Sequence, residues 1–164
     1  MNNPLSLNQL VDIGVKACEG LHYLHSQEPP IIHRDIKPSN LLIDEEGEVR
    51  FIDFGIARSY KQEQVEDTIK LGTVGFASPE QYGGIQTDGR SDLYSLGAVL
   101  LFLGSNCRYS ELTEEAKEVF GKRGYSELLP VITALMRQNP NERYQSADEL
   151  MMTLSSKSRA YQTN

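Results

Sequence analysis

The chain has 164 residues, and 16 Lys and Arg against 23 Asp and Glu give a formal net charge of −7. This length predicts one domain with a core large enough to be stable. The acidic balance argues against a nucleic acid or an anionic membrane surface as the main partner. A composition of 39% hydrophobic and 24% charged residues is typical of a globular protein and not of a disordered one.

The two cysteines, Cys18 and Cys107, lie far apart and outside any CxxC pattern. We therefore expect neither a disulfide nor a zinc site, and two small buried side chains in a reducing compartment. The longest apolar run, residues 96–103, is too short to span a bilayer, and the first residues do not resemble a leader peptide. These features predict a cytoplasmic location, with no membrane contact from this segment.

The first third of the chain predicts one helix and one hairpin. Apolar residues recur at helical spacing over residues 7–26, and Ser6 with Gln9 fits a capping box at the start of that helix. Two short apolar runs, at 41–43 and 48–52, flank an acidic stretch that ends in glycine. This pattern is typical of a small β-hairpin.

The remaining two thirds predict a loop followed by helices. Residues 56–77 show no clear periodicity and are predicted as a loop. Residues 91–103 are apolar nearly all round, which is typical of a central buried helix. Further helices are predicted over residues 113–120, over residues 128–136, and from residue 146 to about residue 154.

Together these elements predict a mainly α (α+β) fold. We expect a helical bundle around one buried central helix, with a small β-hairpin near its front edge. The predicted domain covers residues 1–155, and residues 156–164 are predicted to form a flexible polar tail.

Three short motifs carry the functional information. Residues 33–40 have the sequence HRDIKPSN, residues 53–55 are DFG, and residues 78–80 are SPE. In this order and spacing they resemble the eukaryotic-type protein serine/threonine kinases, of the kind that bacteria also carry. Serine at position 78 replaces the alanine usual in that family.

The resemblance covers nearly the whole chain but only the C-terminal lobe of the family. The sequence contains no GxGxxG loop followed by a strand with a VAIK-like lysine. In this family those parts hold the ATP phosphates. The resemblance therefore implies a protein-kinase-like C-lobe from which the N-terminal β-lobe is absent.

The resemblance also implies the residues of the chemical site, with ATP and Mg²⁺ as cofactors. Asp35 would accept or orient the proton of the attacking hydroxyl, and Lys37 would offset charge on the transferring phosphate. Asn40 and Asp53 offer the hard oxygen ligands that Mg²⁺ prefers. Leu42, together with Asp53, would contact the nucleotide.

A second group of motif residues is expected to be structural or regulatory. His33 would be a packed core histidine beneath Phe54, next to Gly55 of the same triplet. Arg34 resembles the arginine that binds a phosphorylated activation loop in many kinases. The candidate phosphate acceptor is Thr68, for which a solvated loop threonine is an equal alternative.

Three further positions match family contacts. Thr73 matches the substrate-loop threonine that contacts the catalytic aspartate and lysine. Glu80 and Arg143 match a buried ion pair. Asp92 matches an aspartate that hydrogen-bonds the backbone of the catalytic loop.

Two functional hypotheses remain open from the sequence. The chain is either the C-lobe of a protein serine/threonine kinase or a non-catalytic module that binds a kinase or competes for its substrates. The partners implied are a protein substrate, ATP, and a separate N-lobe or another kinase. A small-molecule phosphotransferase is a weaker third reading, because Thr73 and the SPE triplet fit a protein-substrate loop better. The chain alone is predicted to transfer little or no phosphate, and to expose an apolar patch that includes Leu42 and Phe54.

Overall fold

The structure is a computed structural model that describes residues 4–54, 57–59 and 72–161. Helices dominate these residues, which confirms the predicted mainly α fold class. The helices are α1 (Leu7–His25), α2 (Pro79–Gly83), α3 (Gly89–Gly104), α4 (Glu114–Phe120), α5 (Leu129–Leu135) and α6 (Ala147–Tyr161). The strands are β1 (Ile31–Ile32), β2 (Leu41–Ile43), β3 (Val49–Phe51) and β4 (Arg58–Ser59). Short 3₁₀ or π turns span Pro38–Asn40, Gly121–Tyr125, Ser126–Leu128 and Pro140–Glu142.

The strands form two separate antiparallel pairs. The predicted hairpin is confirmed, with β2 and β3 in a register that places Leu41 opposite Phe51. The second pair joins β1 to β4. The prediction of an unbroken loop over residues 56–77 was therefore wrong at Arg58–Ser59, because a strand of two residues has no periodicity that a sequence can display.

The central element is α3, as the sequence predicted. Most of its side chains are buried, because α1, α4 and α5 all pack against it. Gly97 allows the close approach of α5, since a Cβ atom at position 97 would lie 2.8 Å from Leu135 Cβ. The buried positions of α3 are Ser91, Asp92, Leu93, Ser95, Leu96, Gly97, Ala98, Val99, Leu100, Leu101 and Gly104.

Helix α1 packs one apolar face against α3 and α6. Its predicted capping box is present. The Ser6 backbone N–H donates to Gln9 Oε1 (2.8 Å), and the Gln9 N–H donates to Ser6 Oγ (3.2 Å). These two bonds satisfy backbone donors that have no partner within the helix, so they fix where α1 begins.

Two predictions from the sequence need correction. Helix α6 continues to Tyr161, past the predicted end near Leu154, so residues 156–161 are helical and do not form a separate tail. Cys18 is buried as expected, but Cys107 is exposed, because it lies in a turn after α3 with a left-handed φ of 59°.

Within the described ranges, no helix is both long and apolar enough to cross a membrane.

The close approach at Gly97 gives a prediction about stability. Replacing Gly97 with alanine forces the added methyl group against Leu135, so we expect a loss of about 1–3 kcal/mol of unfolding free energy. The measurement is urea unfolding followed by circular dichroism. Gly83→Ala is the matched control, because the nearest atom to a Cβ at that helical glycine is 3.9 Å away. Equal stability of the two variants would contradict the packing argument.

Candidate active site

The HRD loop, residues 33–37, connects β1 to the 3₁₀ turn at Pro38–Asn40, and a buried carboxylate fixes its shape. Asp92 has no exposed side-chain surface. Its Oδ2 accepts the His33 N–H (2.9 Å), and its Oδ1 accepts the Arg34 N–H (2.9 Å). Arg34 has a left-handed φ of 71°, a conformation that costs about 1–3 kcal/mol for a residue other than glycine. The two bonds to Asp92 offset that cost, since bonds to a charged group stabilise by about 1.5–3 kcal/mol each.

His33 is fully buried behind this loop. Its Nε2 lies 3.2 Å from the Ile52 carbonyl, and its Nδ1 accepts the Asp35 N–H at 3.2 Å. A carbonyl oxygen can only accept and a backbone N–H can only donate, so these bonds fit an uncharged ring with its hydrogen on Nε2. The ring also contacts Phe54, with centroids 4.8 Å apart. The structure therefore places His33 as a packing residue between the HRD loop and the segment that follows β3.

Asp35 lies in a short chain of polar contacts. Lys37 Nζ donates to Thr73 Oγ1 (3.0 Å), and the Thr73 hydroxyl donates to Asp35 Oδ1 (2.7 Å). Lys37 Nζ also lies 3.5 Å from Asp35 Oδ2. The Asp35 side chain is 16% exposed. The carboxylate is thus held in place by the Thr73 hydroxyl, has the positively charged Lys37 ammonium group beside it, and remains partly exposed to solvent.

A backbone hydrogen bond next to the hairpin brings the chain at Asn40 close to the chain just before Asp53. The Ile52 N–H donates to the Asn40 carbonyl (2.9 Å), and Asp53 is the next residue. Asn40 Nδ2 donates to the Asp35 backbone carbonyl (2.8 Å) and to Asp35 Oδ2 (3.3 Å), which leaves its amide oxygen for a cation. Asp53 is exposed and has a left-handed φ of 57°.

These two oxygen donors fit a magnesium ion that depends on phosphates for its other ligands. Mg²⁺ in nucleotide sites is held by one or two carboxylates, substrate phosphates and water. Among the residues that the structure describes, no group of three or more His, Cys, Asp or Glu side chains could hold a metal by itself.

The Thr73 loop, residues 72–78, is tied to the HRD loop by a side chain that the sequence analysis missed. Gln81 is buried in α2, and its Nε2 donates to the Arg34 carbonyl (2.7 Å). Its Oε1 accepts the Ser78 N–H (3.0 Å), which fixes the amide orientation. The capping-box spacing of Ser78 and Gln81 was the available signal, and it marks the start of α2.

Glu80 and Arg143 form the expected buried pair. Arg143 Nη1 and Nη2 donate to the two carboxylate oxygens of Glu80 at 2.7 and 2.9 Å, and Ser91 Oγ donates to Glu80 Oε1 at 2.7 Å. Arg143 also donates to three backbone carbonyls and lies over the Tyr94 ring. Burial acts to raise the pKa of Glu80, but the bonds from Arg143 and Ser91 and the charge of Arg143 together hold it below its ordinary value of 4.5.

Two predicted site residues, Gly55 and Thr68, lie outside the described residues. The regulatory pairing of Arg34 with Thr68 therefore stays a prediction. Arg34 itself is only 4% exposed.

The hairpin carries an exposed apolar surface next to Asp53. We call this surface the hairpin patch and define it as Leu42, Ile43, Ile52 and Phe54, which are 38–50% exposed. Exposed large apolar side chains in one short segment are typical of a binding or association site.

The fold and site define a helical lobe that holds a carboxylate, Asp35, beside a lysine, a threonine and an asparagine side chain. Comparison with known proteins agrees with this class. The family model described as protein kinase domain matches residues 1–160. The chain therefore belongs to the protein kinase domain family.

Similar proteins include bacterial and plant kinases. The chain is 32% identical to serine/threonine-protein kinase PknB of Mycolicibacterium smegmatis, over 93% of this chain and 27% of that protein. It is 33% identical to a probable serine/threonine-protein kinase of Streptomyces coelicolor, over 88% of this chain and 24% of the relative. A receptor-like kinase of Arabidopsis thaliana is 44% identical over 59% of this chain and 11% of its own length. The chain thus spans about a quarter of the length of its bacterial relatives.

The Glu80–Arg143 pair gives a pH-dependent prediction. Glu80→Gln removes the charge that a buried Arg143 requires, so at pH 7 we expect a loss of about 3 kcal/mol in unfolding free energy. Because the folded-state pKa of Glu80 is lowered, this loss is complete above pH 4.5 and shrinks as the pH falls through the folded-state pKa.

The measurement is urea unfolding of wild type and variant from pH 7 down to pH 3. Glu118→Gln is the control, because Glu118 forms an exposed pair with Lys122 and should leave the urea midpoint nearly unchanged. A loss for Glu80→Gln that does not depend on pH would contradict this account.

The hairpin patch gives a prediction about association. Exposed apolar area favours self-association of the 164-residue chain, so we expect its apparent mass to rise with concentration in size-exclusion chromatography. Leu42→Lys with Phe54→Lys should remove that dependence. Val74→Lys is a control at an exposed apolar residue outside the patch. A wild-type chain that is monomeric at all concentrations would contradict the prediction.

Proposed function

We propose that this chain is the C-terminal lobe of a protein serine/threonine kinase, which transfers a phosphoryl group from ATP to a serine or threonine hydroxyl of a protein. The observation that carries the proposal is the contact series from Lys37 through Thr73 to Asp35, with Asn40 bonded to the same aspartate. A purely structural loop would not need a lysine, a threonine and a carboxylate joined at a solvent-accessible point.

Asp35 is proposed to accept or orient the proton of the attacking hydroxyl. Its carboxylate offers about four acceptor positions, and the bonds from Thr73 and Asn40 occupy only two of them. These bonds also fix the side chain, so the substrate hydroxyl meets a base that needs no rearrangement. The bond from the Asp35 N–H to His33 holds the loop backbone at the same point.

Lys37 is proposed to offset negative charge on the phosphoryl group during its transfer. Its ammonium group is a compact charge with three donors, and the bond to Thr73 uses one of them. Nζ also lies 3.5 Å from Asp35 Oδ2, which leaves at least one donor for a phosphate oxygen beside Asp35. Because Thr73 contacts both Lys37 and Asp35, it sets the distance between the ammonium group and the proposed proton acceptor. The presence of this threonine supports serine or threonine as the residue that receives the phosphoryl group.

Asn40 and Asp53 are proposed to hold Mg²⁺, and Leu42 with Asp53 to contact the nucleotide. When bound, the ion would neutralise phosphate charge and orient the phosphates. The exposed Leu42 side chain offers an apolar surface of the kind that a nucleobase covers. A phosphorylated Thr68 that pairs with Arg34 is proposed as the regulatory element. We also propose a cytoplasmic location, which the two free cysteines support.

A second candidate function is a non-catalytic interaction module. The hairpin patch supports it, because an exposed apolar surface beside the magnesium donors could bind another protein as well as a nucleotide. On this reading the chain binds a kinase or its substrates without transferring phosphate.

The experiment measures transfer from γ-labelled ATP with Mg²⁺ to a generic protein substrate. The chain alone should show no transfer above its Asp35→Asn variant. The chain preceded by the N-terminal lobe of the Mycolicibacterium PknB kinase should transfer phosphate to serine or threonine. In this fusion, Asp35→Asn should lower kcat by about 10²–10⁴-fold, the usual contribution of general base catalysis.

Asp44→Asn is the control, because Asp44 lies at the hairpin turn and, among the described residues, its side chain bonds only nearby hairpin backbone and Arg50. It should leave transfer unchanged. A fusion that binds ATP but transfers no phosphate would favour the interaction module. Transfer that Asp35→Asn leaves intact would refute the role of Asp35.

A further inference from the structure

We propose that Lys16 and Gly20, two residues of α1, are positioning residues for the hairpin that carries the proposed nucleotide contacts. The hairpin spans residues 41–51, so Leu42 lies within it and Asp53 follows it directly. Lys16 and Gly20 do not contact the nucleotide themselves and act through the hairpin. The proposed function supplies the nucleotide, but the attachment of the hairpin to α1 can be tested without it.

The hairpin needs support from outside itself. Each of its strands has three residues, and a two-stranded hairpin of this size is at best marginally stable in water. Strand β2 gains little from burial, since Leu42 and Ile43 are 50% and 44% exposed. Strand β3 packs against α1. The position of the hairpin therefore depends largely on its contacts with that helix.

Lys16 holds the turn end of the hairpin. Its Nζ donates to the Gly47 carbonyl at 2.9 Å and lies 2.8 Å from Glu48 Oε1. The turn has a fixed shape of its own, because Asp44 Oδ1 accepts the backbone N–H groups of residues 46 and 48. A charged donor makes the stronger kind of hydrogen bond, so the ammonium group limits how far this turn can move from α1.

Gly20 leaves the space that the Phe51 ring occupies at the strand end of the hairpin. It lies four residues after Lys16, about 6 Å further along the helix axis. A Cβ atom at position 20 would lie 2.9 Å from Phe51 Cε2 and 3.1 Å from Cδ2. The φ of Gly20 is not left-handed, so backbone freedom does not explain a glycine here. A side chain at this position would have to displace the ring and the strand that carries it.

Two contacts one helical turn apart fix both the distance of the hairpin from α1 and its tilt. Leu42 lies two residues before Asp44 of the turn, and Asp53 lies two residues after Phe51. Both proposed nucleotide contacts therefore move when the hairpin moves. Asp35, in contrast, is bonded to a threonine of a separate segment. Loss of the attachment should thus weaken nucleotide binding more than it slows phosphoryl transfer.

The first test is amide hydrogen exchange of the 164-residue chain, measured by NMR without nucleotide. In Lys16→Met the protection of the Asp44 and Gly47 amides, whose bonds close the turn, should fall about threefold or more relative to amides in the middle of α3. Lys16→Arg keeps a charged donor and should restore most of this protection. Lys122→Met is the matched control and should leave both amides within about twofold of wild type, because its exposed pair with Glu118 lies outside the hairpin.

A double-variant cycle tests Gly20 separately. Gly20→Ala should lower the protection of the Ile52 amide about threefold or more, because the methyl group displaces the neighbouring Phe51. In the Phe51→Val background the same change should not lower it, because valine lacks the two ring atoms nearest to position 20 and alanine suits a helix better than glycine. Loss that is equal in both backgrounds, or Lys122→Met acting as strongly as Lys16→Met, would overturn the proposal.

The second test measures the Kd of the fusion protein for ADP in the presence of Mg²⁺, together with kcat. Lys16→Met should raise this Kd about three- to tenfold and leave kcat within about twofold, because the change moves the nucleotide contacts and not Asp35. An unchanged Kd would overturn the positioning role. A fusion that binds no ADP would refute the proposed function and with it the nucleotide role of Lys16, whereas the exchange results separately decide whether α1 holds the hairpin.

Discussion

Asp92 lies in the first turn of α3 with no exposed side-chain surface, and its oxygens accept the backbone N–H groups of His33 and Arg34. Arg34 has a left-handed φ that a side-chain-bearing residue adopts only when its surroundings impose it. Because α3 is packed on all sides, it is a rigid support for this carboxylate. The position of Asp35, the next residue, follows from that support.

The same helix supports the Thr73 loop. Ser95 of α3 donates to the Phe76 carbonyl at 2.7 Å, and Ser91 donates to Glu80 at 2.7 Å. Gln81 then joins the Thr73 loop to the Arg34 carbonyl. Asp35 and Thr73 are thus both fixed from α3, which explains how a carboxylate and a hydroxyl from distant segments meet at 2.7 Å.

Much of the fold follows from the sequence, because long elements carry strong periodicity. Helix α1 has both a regular apolar face and a capping box, and α3 has a long apolar run, so both were predicted. The β1–β4 pair and the last turns of α6 were not. A two-residue strand depends on its partner, and the residues after Leu154 are mostly polar, so neither carries a local signal.

Some residues of the candidate site could likewise be predicted from the sequence, and others could not. Asp35, Lys37, Asn40 and Asp53 stand in motifs, and the structure brings the first three together with Thr73. Gln81 was missed, and so was His25 of α1, whose Nε2 lies 2.8 Å from Asp92 Oδ2. Their partners are a backbone carbonyl and a buried carboxylate that only tertiary packing places within reach.

The central claim is that Asp92 sets the geometry of the HRD loop. A crystal structure of the Asp92→Asn variant tests it most directly, because asparagine keeps the size of the side chain but can accept through only one oxygen. We expect the Arg34 backbone to leave its left-handed conformation and the bond from Thr73 Oγ1 to Asp35 Oδ1 to be lost. A variant in which Arg34 keeps its φ and this bond remains at its wild-type length would contradict the account.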